Sequence, residues 1–103
     1  MKYRYTPGAE LIGQGSAGET LFVLLEGRAK VVKNGRTRRR VGPGDFVGEI
    51  SVLNDRPRTA SIIAENEVRC LVLHREALRK LLAQEPKAAW TMLGTLAARI
   101  SGD

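Results

Sequence analysis

From Ala9 to Leu73, short runs rich in Val, Ile, Leu and Thr are broken at regular intervals by glycine. That is the pattern of an antiparallel sandwich or barrel. It predicts strands near 10–14, 20–26, 28–33, 37–41, 59–64 and 68–73. "KNGR" at 33–36 is the clearest turn, because Asn-Gly accepts the positive φ angles of a tight hairpin. It should pair 29–33 with 37–41. "GPGD" at 42–45 is a second turn, with Pro43 fixing φ and Gly44 free to turn left-handed. After Leu73 the period changes: in "HREALRKLLAQEP", Leu78, Leu81 and Leu82 fall at i, i+3 and i+4, which predicts an amphipathic helix. The helix should stop before Pro86, which can in turn open the next one. In "PKAAWTMLGTLAARI" the stripe Ala89, Leu93, Leu96 and Ile100 is expected to pack on the domain's own core, with a partner helix as the alternative.

At 103 residues the chain suits one modest core. It has no apolar run long enough to span a bilayer and no secretory signal at "MKYRYTPGAE". The single Cys70 cannot form an internal disulfide, so a reducing, cytoplasmic setting is the default expectation. A formal charge of +6 favours anionic partners without choosing among nucleic acid, lipid and a small phosphate. The basic residues are dispersed; only Arg38-Arg39-Arg40 forms a tight run, and a solvent-facing strand is its plainest explanation.

The chemistry concentrates in "FVGEISVLNDRPRTASIIA", 46–64. Residues 49–54 are compatible with a single helical turn, broken by Arg56-Pro57, after which Arg58 opens a strand. A helix start offers unpaired amides and a partial positive charge to a phosphate. Arg58 adds a fork of donors matching two phosphate oxygens. Glu49 accepts hydrogen bonds only and suits a sugar hydroxyl. The simpler alternative is a surface ion pair between Glu49 and Arg58, contributing no more than about 1 kcal/mol.

"GEISVLNDRPRTASI" resembles the phosphate-binding cassette of cyclic nucleotide-binding domains, in the order and spacing of its glycine, glutamate, small residue, arginine and following small polar residue. "YTPGAELIGQGSAGETLFVLLEGRAKVV" is similar to the family's first strands, "GPGDFVGE" to its approach to the cassette, and "HREALRKLLAQEP" with the remaining C-terminal residues to its hinge and lid helices. Roughly residues 5 to 100 are covered. The resemblance implies a mainly β fold with α: an antiparallel double-stranded β-helix, or jelly-roll-like barrel, over about 5–73, with a short cassette helix and C-terminal helices at about 75–101, all in one domain.

By the same resemblance, Glu49 accepts from the ribose 2′-hydroxyl of a 3′,5′-cyclic nucleotide and Arg58 pairs with its phosphate. Gly48 contributes its backbone toward the ribose, and Ile50 and Ser51 their amides toward the phosphate. Val31 lines the base pocket. Thr59 and Arg39 bear on the base: a hydroxyl after the arginine can contact the guanine 2-amino group, and some cGMP-selective members carry an arginine where Arg39 stands. Strict strand alternation would put Thr59 on the face opposite Arg58, so both meet the ligand only if the strand begins irregularly. cAMP is favoured on the broader prior, with cGMP the alternative. A further alternative is a basic jelly-roll domain that has lost its ligand and serves in protein or nucleic-acid interaction.

Two departures from the family pattern stand out. His74 occupies a helix-start position where Asp or Ser is usual, which weakens the expected cap. The chain also starts almost at its first strand and has a short last helix, as a domain excised from a larger protein or a minimal receiver would. The output is then expected from an effector domain in the same full-length chain, with a homodimer through the C-terminal helix as an option. No enzyme activity is expected: one His cannot build a cupin-like metal site or a nucleophilic triad. No direct nucleic-acid binding is expected either, for want of a second short helix pair with base-reading positions. Trp90, Met92 and Leu96 are candidates to cap the base, with core packing the alternative for each.

Overall fold

A computed structural model describes residues 1–102 of the chain, and side chains as far as residue 99. In chain order the elements are β1 (Lys2–Tyr5), β2 (Glu10–Ile12), β3 (Thr20–Glu26), β4 (Ala29–Lys33), β5 (Arg36–Val41), β6 (Phe46–Val47), α1 (Glu49–Asn54), β7 (Ser61–Ala64), β8 (Val68–His74), α2 (Arg75–Gln84) and α3 (Pro86–Gly102). The strands form two antiparallel four-stranded sheets, ordered β1-β8-β3-β6 and β2-β7-β4-β5. Phe22, Leu24, Val47, Val68 and Cys70 of the first sheet meet Ile12, Ala29, Val31, Val41, Ile62 and Ala64 of the second in one core. This is the antiparallel, mainly β class that the strand pattern implied, in the jelly-roll-like form that the resemblance implied.

The predicted hairpin forms. Asn34 and Gly35 take φ of 52° and 78°, and Ala29 pairs with Val41, Lys33 with Arg36. The register shifts between Val31 and Val32, so that Val31 faces Arg39 while Val32 faces Thr37. Arg38 is the extra residue of this bulge, and the bulge settles which arginine of the triplet stands opposite the buried Val31.

A second apolar cluster lies on the other face of the first sheet. Leu21 of β3 and Phe46 of β6 pack with Val52 of α1 and Leu78 of α2, with Met92 and Leu96 of α3 alongside. This cluster attaches the cassette helix and both tail helices to one sheet face. It also corrects the expected stripe on α3. Leu93 is 61% exposed and Trp90 80% exposed, while Ala88, Ala89, Met92, Thr95, Leu96 and Arg99 turn inward. The helix carries small and apolar residues nearly all round, so its period alone left the inner face open. The side chain of Ile100 lies outside the described residues. α2 begins after His74 with no side-chain cap, as its residue type led us to expect.

Burial pushes the Cys70 thiol up from its ordinary range. The Tyr5 hydroxyl is also pushed up, mainly by burial and then by Cys70 and Tyr3 beside it. An acid whose folded pKa is raised stabilises the fold below its unfolded pKa, and that stability is lost as pH rises through the folded value. The urea midpoint should therefore hold up to about pH 8.5 and decline above it. Cys70→Ala should lower the midpoint at neutral pH yet flatten the first part of the decline. A wild-type midpoint that stays level well above the thiol range would contradict this.

Candidate functional site

Gly48 ends the short β6 strand with φ of 92° and starts α1. That positive φ excludes most side chains, and space excludes the rest: a Cβ at Gly48 would lie 2.7 Å from Nη1 of Arg58 and 2.8 Å from the Thr20 carbonyl. The guanidinium can therefore approach the backbone. Nη1 donates to Gly48 O at 3.1 Å and to Ser51 Oγ, and Nη2 donates to Thr20 Oγ1 at 3.0 Å. The Arg58 backbone is pinned as well, its N–H donating to Ser16 O and its carbonyl accepting from Gly15 N–H, each at 2.8 Å.

Arg58 is only 7% exposed, and among the described residues no carboxylate comes within ion-pairing distance of it. Burial pushes its pKa down, and the charge of Glu49 nearby partly offsets this. A buried cation solvated by neutral oxygens alone is an electrostatic debt that an anion would relieve.

Glu49 finds its partner elsewhere. Nη1 of Arg99, on α3, donates to Glu49 Oε1 at 2.8 Å, and Nη2 of Arg99 donates to the Phe46 carbonyl. The Arg99 guanidinium also stacks 4.4 Å from the centre of the Phe46 ring. The expected alternative, an ion pair between Glu49 and Arg58, is not what the structure adopts.

Gly48, Glu49, Ile50, Ser51, Arg58, Thr59, Val31 and Arg39 all line a single inner cleft of about 90 Å³. Beside it, sharing Val31, Arg39, Glu49, Ile50, Thr59 and Ala60, lies an outer cleft of about 400 Å³, whose wall adds Lys33, Arg38, Leu96 and Arg99. Arg39 borders both parts and Arg38 only the outer one, as the bulge in the hairpin dictates. The strand expected over 59–64 begins only at Ser61. Arg58 and Thr59 lie before it on irregular backbone, which frees both from strand alternation and lets both border the cleft. Of the three candidates for capping the base, Leu96 borders the outer cleft, Met92 packs in the second cluster, and Trp90 faces away into solvent rather than into a core.

The sequence reading missed Arg99 and Thr20, both of which hold cassette residues, and also Gly18. A Cβ at Gly18 would come 2.5 Å from Nη2 of Arg58. It missed Arg75 too. From the start of α2, Nε of Arg75 donates to the Val52 carbonyl at 2.9 Å and Nη2 to Ser51 O at 3.4 Å, while the side chain pairs with Asp55. α1 has no basic residue in its own last turn, so Arg75 supplies the cation that the negative end of a helix favours. No local sequence signal marks these partners, because each lies 20 or more residues from the cassette residues it serves.

The family model for the cyclic nucleotide-binding domain matches residues 2–85. The chain is 38% identical over 78 residues to a cGMP-dependent protein kinase of Toxoplasma gondii, covering 76% of this chain and 8% of that protein. It is 31% identical over 98 residues to a CRP-like cAMP-activated global transcriptional regulator of Mycobacterium tuberculosis, covering 90% and 44%. A solved cyclic nucleotide-binding domain from Methylobacillus flagellatus superposes with a TM-score of 0.88 at 33% identity, over 98% of this chain and 62% of that one. The chain thus spans less than half the length of these two curated relatives.

Gly48→Ala should destabilise the chain by about 1–3 kcal/mol through backbone strain, with the clash against Arg58 and Thr20 in addition. Gly15→Ala is the control, since Gly15 has a φ of 84° but nothing within 4 Å of an added Cβ. Thermal denaturation in which the two variants lose equal stability would show that the close approach to Arg58 contributes nothing.

Proposed function

This chain belongs to the cyclic nucleotide-binding domain family, and we propose that it is a regulatory sensor module that takes a 3′,5′-cyclic nucleotide, cAMP in preference, and passes on its presence by repositioning α2 and α3. The observation that carries this reading is Arg58: a guanidinium held out of water, paired with no carboxylate among the described residues, in the wall of a cleft whose rim carries Glu49. A cyclic phosphate supplies the missing negative charge, and the free ribose 2′-hydroxyl supplies a donor to Glu49. Gly48, Ile50 and Ser51 contribute backbone contacts, and Val31 the apolar floor beneath the base. Binding shifts the tail helices only as far as the nucleotide prefers one of their positions over another. The contacts of α1 with Arg75 and Arg99 give that preference a physical route.

A second reading, cGMP in place of cAMP, has its own observation: Arg39 and Thr59 both border the inner cleft. An arginine at the base end matches the O6 and N7 acceptors of guanine better than the amino group of adenine. The preference for cAMP rests on the cAMP-activated relative, and the cGMP-dependent relative weighs on the other side. The module is read as regulatory rather than catalytic and as cytoplasmic, consistent with the buried free thiol of Cys70. Its output is assigned to an effector domain in the same full-length protein, and a homodimer through α3 would use the face that carries Trp90 and Leu93.

Arg58→Ala is expected to weaken cyclic nucleotide binding by about 2–5 kcal/mol, measured by calorimetry. An unchanged dissociation constant would remove Arg58 from the site. Competition between cAMP and cGMP decides the base. A preference for cGMP that disappears in Arg39→Ala would establish the second reading in place of the first.

A further inference from the structure

Basic residues occur along the whole chain, but the excess of positive charge does not. Of the seventeen Lys and Arg residues, seven fall in 28–40, a stretch with no Asp or Glu. The other ten are offset by eleven acidic residues elsewhere in the chain. The net charge of +6 therefore belongs to one place, the β4-β5 hairpin with the residue before it. There Arg40 pairs with Glu65 at 2.9 Å, while Glu26 and Glu67 are engaged by Arg69 and Arg4. Among the described residues, Arg28, Lys30, Lys33, Arg36 and Arg38 form no ion pair. Like charges gathered on one surface produce a field that draws in anions.

The same hairpin ends a sheet. β5 pairs with β4 alone, and at six residues it is the longest of the four edge strands. Among the described residues no backbone group of 36–41 bonds to anything beyond β4. Lys33 and Arg36 close a two-residue turn, and a closing pair of this kind carries the ladder's hydrogen bonds. The next pair, Val32 with Thr37, is then a non-bonded one, which turns the N–H and C=O of Thr37 toward the open edge.

Charge and edge together select the partner. A second copy of this edge would set the same cations against each other, the usual way in which edges avoid chance pairing. A phosphodiester backbone offers acceptors but no donors, so it cannot match an edge that presents both. Single-stranded nucleic acid binds where bases can stack on aromatic rings, and none stands between Phe22 and Phe46. A lipid surface calls for apolar anchors, and none of the exposed large apolar residues lies in 28–41.

We propose that the β5 edge docks an extended acidic segment of a partner protein, which adds a strand beyond β5 and sets its carboxylates against Lys30, Lys33, Arg36 and Arg38. Backbone pairing supplies the register and the cations choose the sequence. Lys33 and Arg38 also border the outer cleft, so the partner lies beside the cleft's mouth.

The test is fluorescence anisotropy with a labelled peptide of repeated Glu-Glu-Thr-Val units. A second peptide of equal charge has Pro in place of each Thr, and so cannot pair along the edge. The chain should bind the first peptide, more weakly as salt is added, and should bind the second poorly. Lys30→Glu combined with Arg36→Glu should weaken binding about tenfold or more, because attraction becomes repulsion at two positions. Thr37→Pro, which removes an outward N–H, should weaken it as well, with thermal denaturation confirming that each variant folds. If Thr37→Pro does not fold, the comparison of the two peptides in wild type decides in its place. Absence of binding to the first peptide would overturn the proposal. Equal binding of both peptides would overturn it too, since charge alone would then account for the attraction. Displacement of the peptide by an oligonucleotide or by anionic phospholipid vesicles at lower concentration would assign the surface to phosphates instead.

Discussion

The Arg58 guanidinium sits among three neutral oxygens, those of Gly48, Ser51 and Thr20, and much of the surrounding structure is arranged to tolerate that charge. Withdrawing a cation from water costs several kcal/mol even after relaxation, so each available donor must find an acceptor nearby. The acceptors come from the strand-to-helix turn, the cassette helix and β3, which obliges these three segments to converge. Convergence this tight leaves no room for side chains at Gly18 and Gly48. The backbone of Arg58 is fixed to the loop at Gly15 and Ser16, so the charge cannot relax outward.

The cassette helix has only six residues, too short to persist unaided. Its order is borrowed from the tail. Arg99 holds its first residue, Arg75 holds carbonyls near its end, and Val52 is clamped between Leu21, Phe46 and Leu78. The helix that borders the cleft and the two tail helices therefore share one packing unit. Arg75 joins the end of α1 to α2 and Arg99 joins its start to α3, with no long chain of intermediates.

What could be read from the sequence was what depends on near neighbours. The hairpin at Asn34-Gly35, the helical turn after Gly48 and the stop at Pro86 follow from turn chemistry and short-range period, whereas Val31 and Arg39, which join the cassette residues in the inner cleft, were legible only through the family resemblance. β1 escaped notice because it is an edge strand that exposes nearly every side chain, so it carries no apolar alternation. The late start of β7 escaped because Arg58 is bonded to the Gly15–Ser16 loop rather than to a strand. The inner face of α3 depended on what it packs against, and Arg99, Arg75 and Thr20 on partners distant in sequence. In each case the deciding term is tertiary, and a local pattern holds no record of it.

The bulge in β5 has an evolutionary side. Without it, Arg38 rather than Arg39 would stand opposite Val31, and one more inserted residue would bring Arg40 there. Register slips normally exchange one side chain for a different chemistry, and hairpins gain and lose single residues easily. At the position opposite Val31 the exchange would still present an arginine, because all three candidates are arginines. The register is held instead by Val41, buried in the core opposite Ala29, which a slip would replace with Arg40 or Gly42.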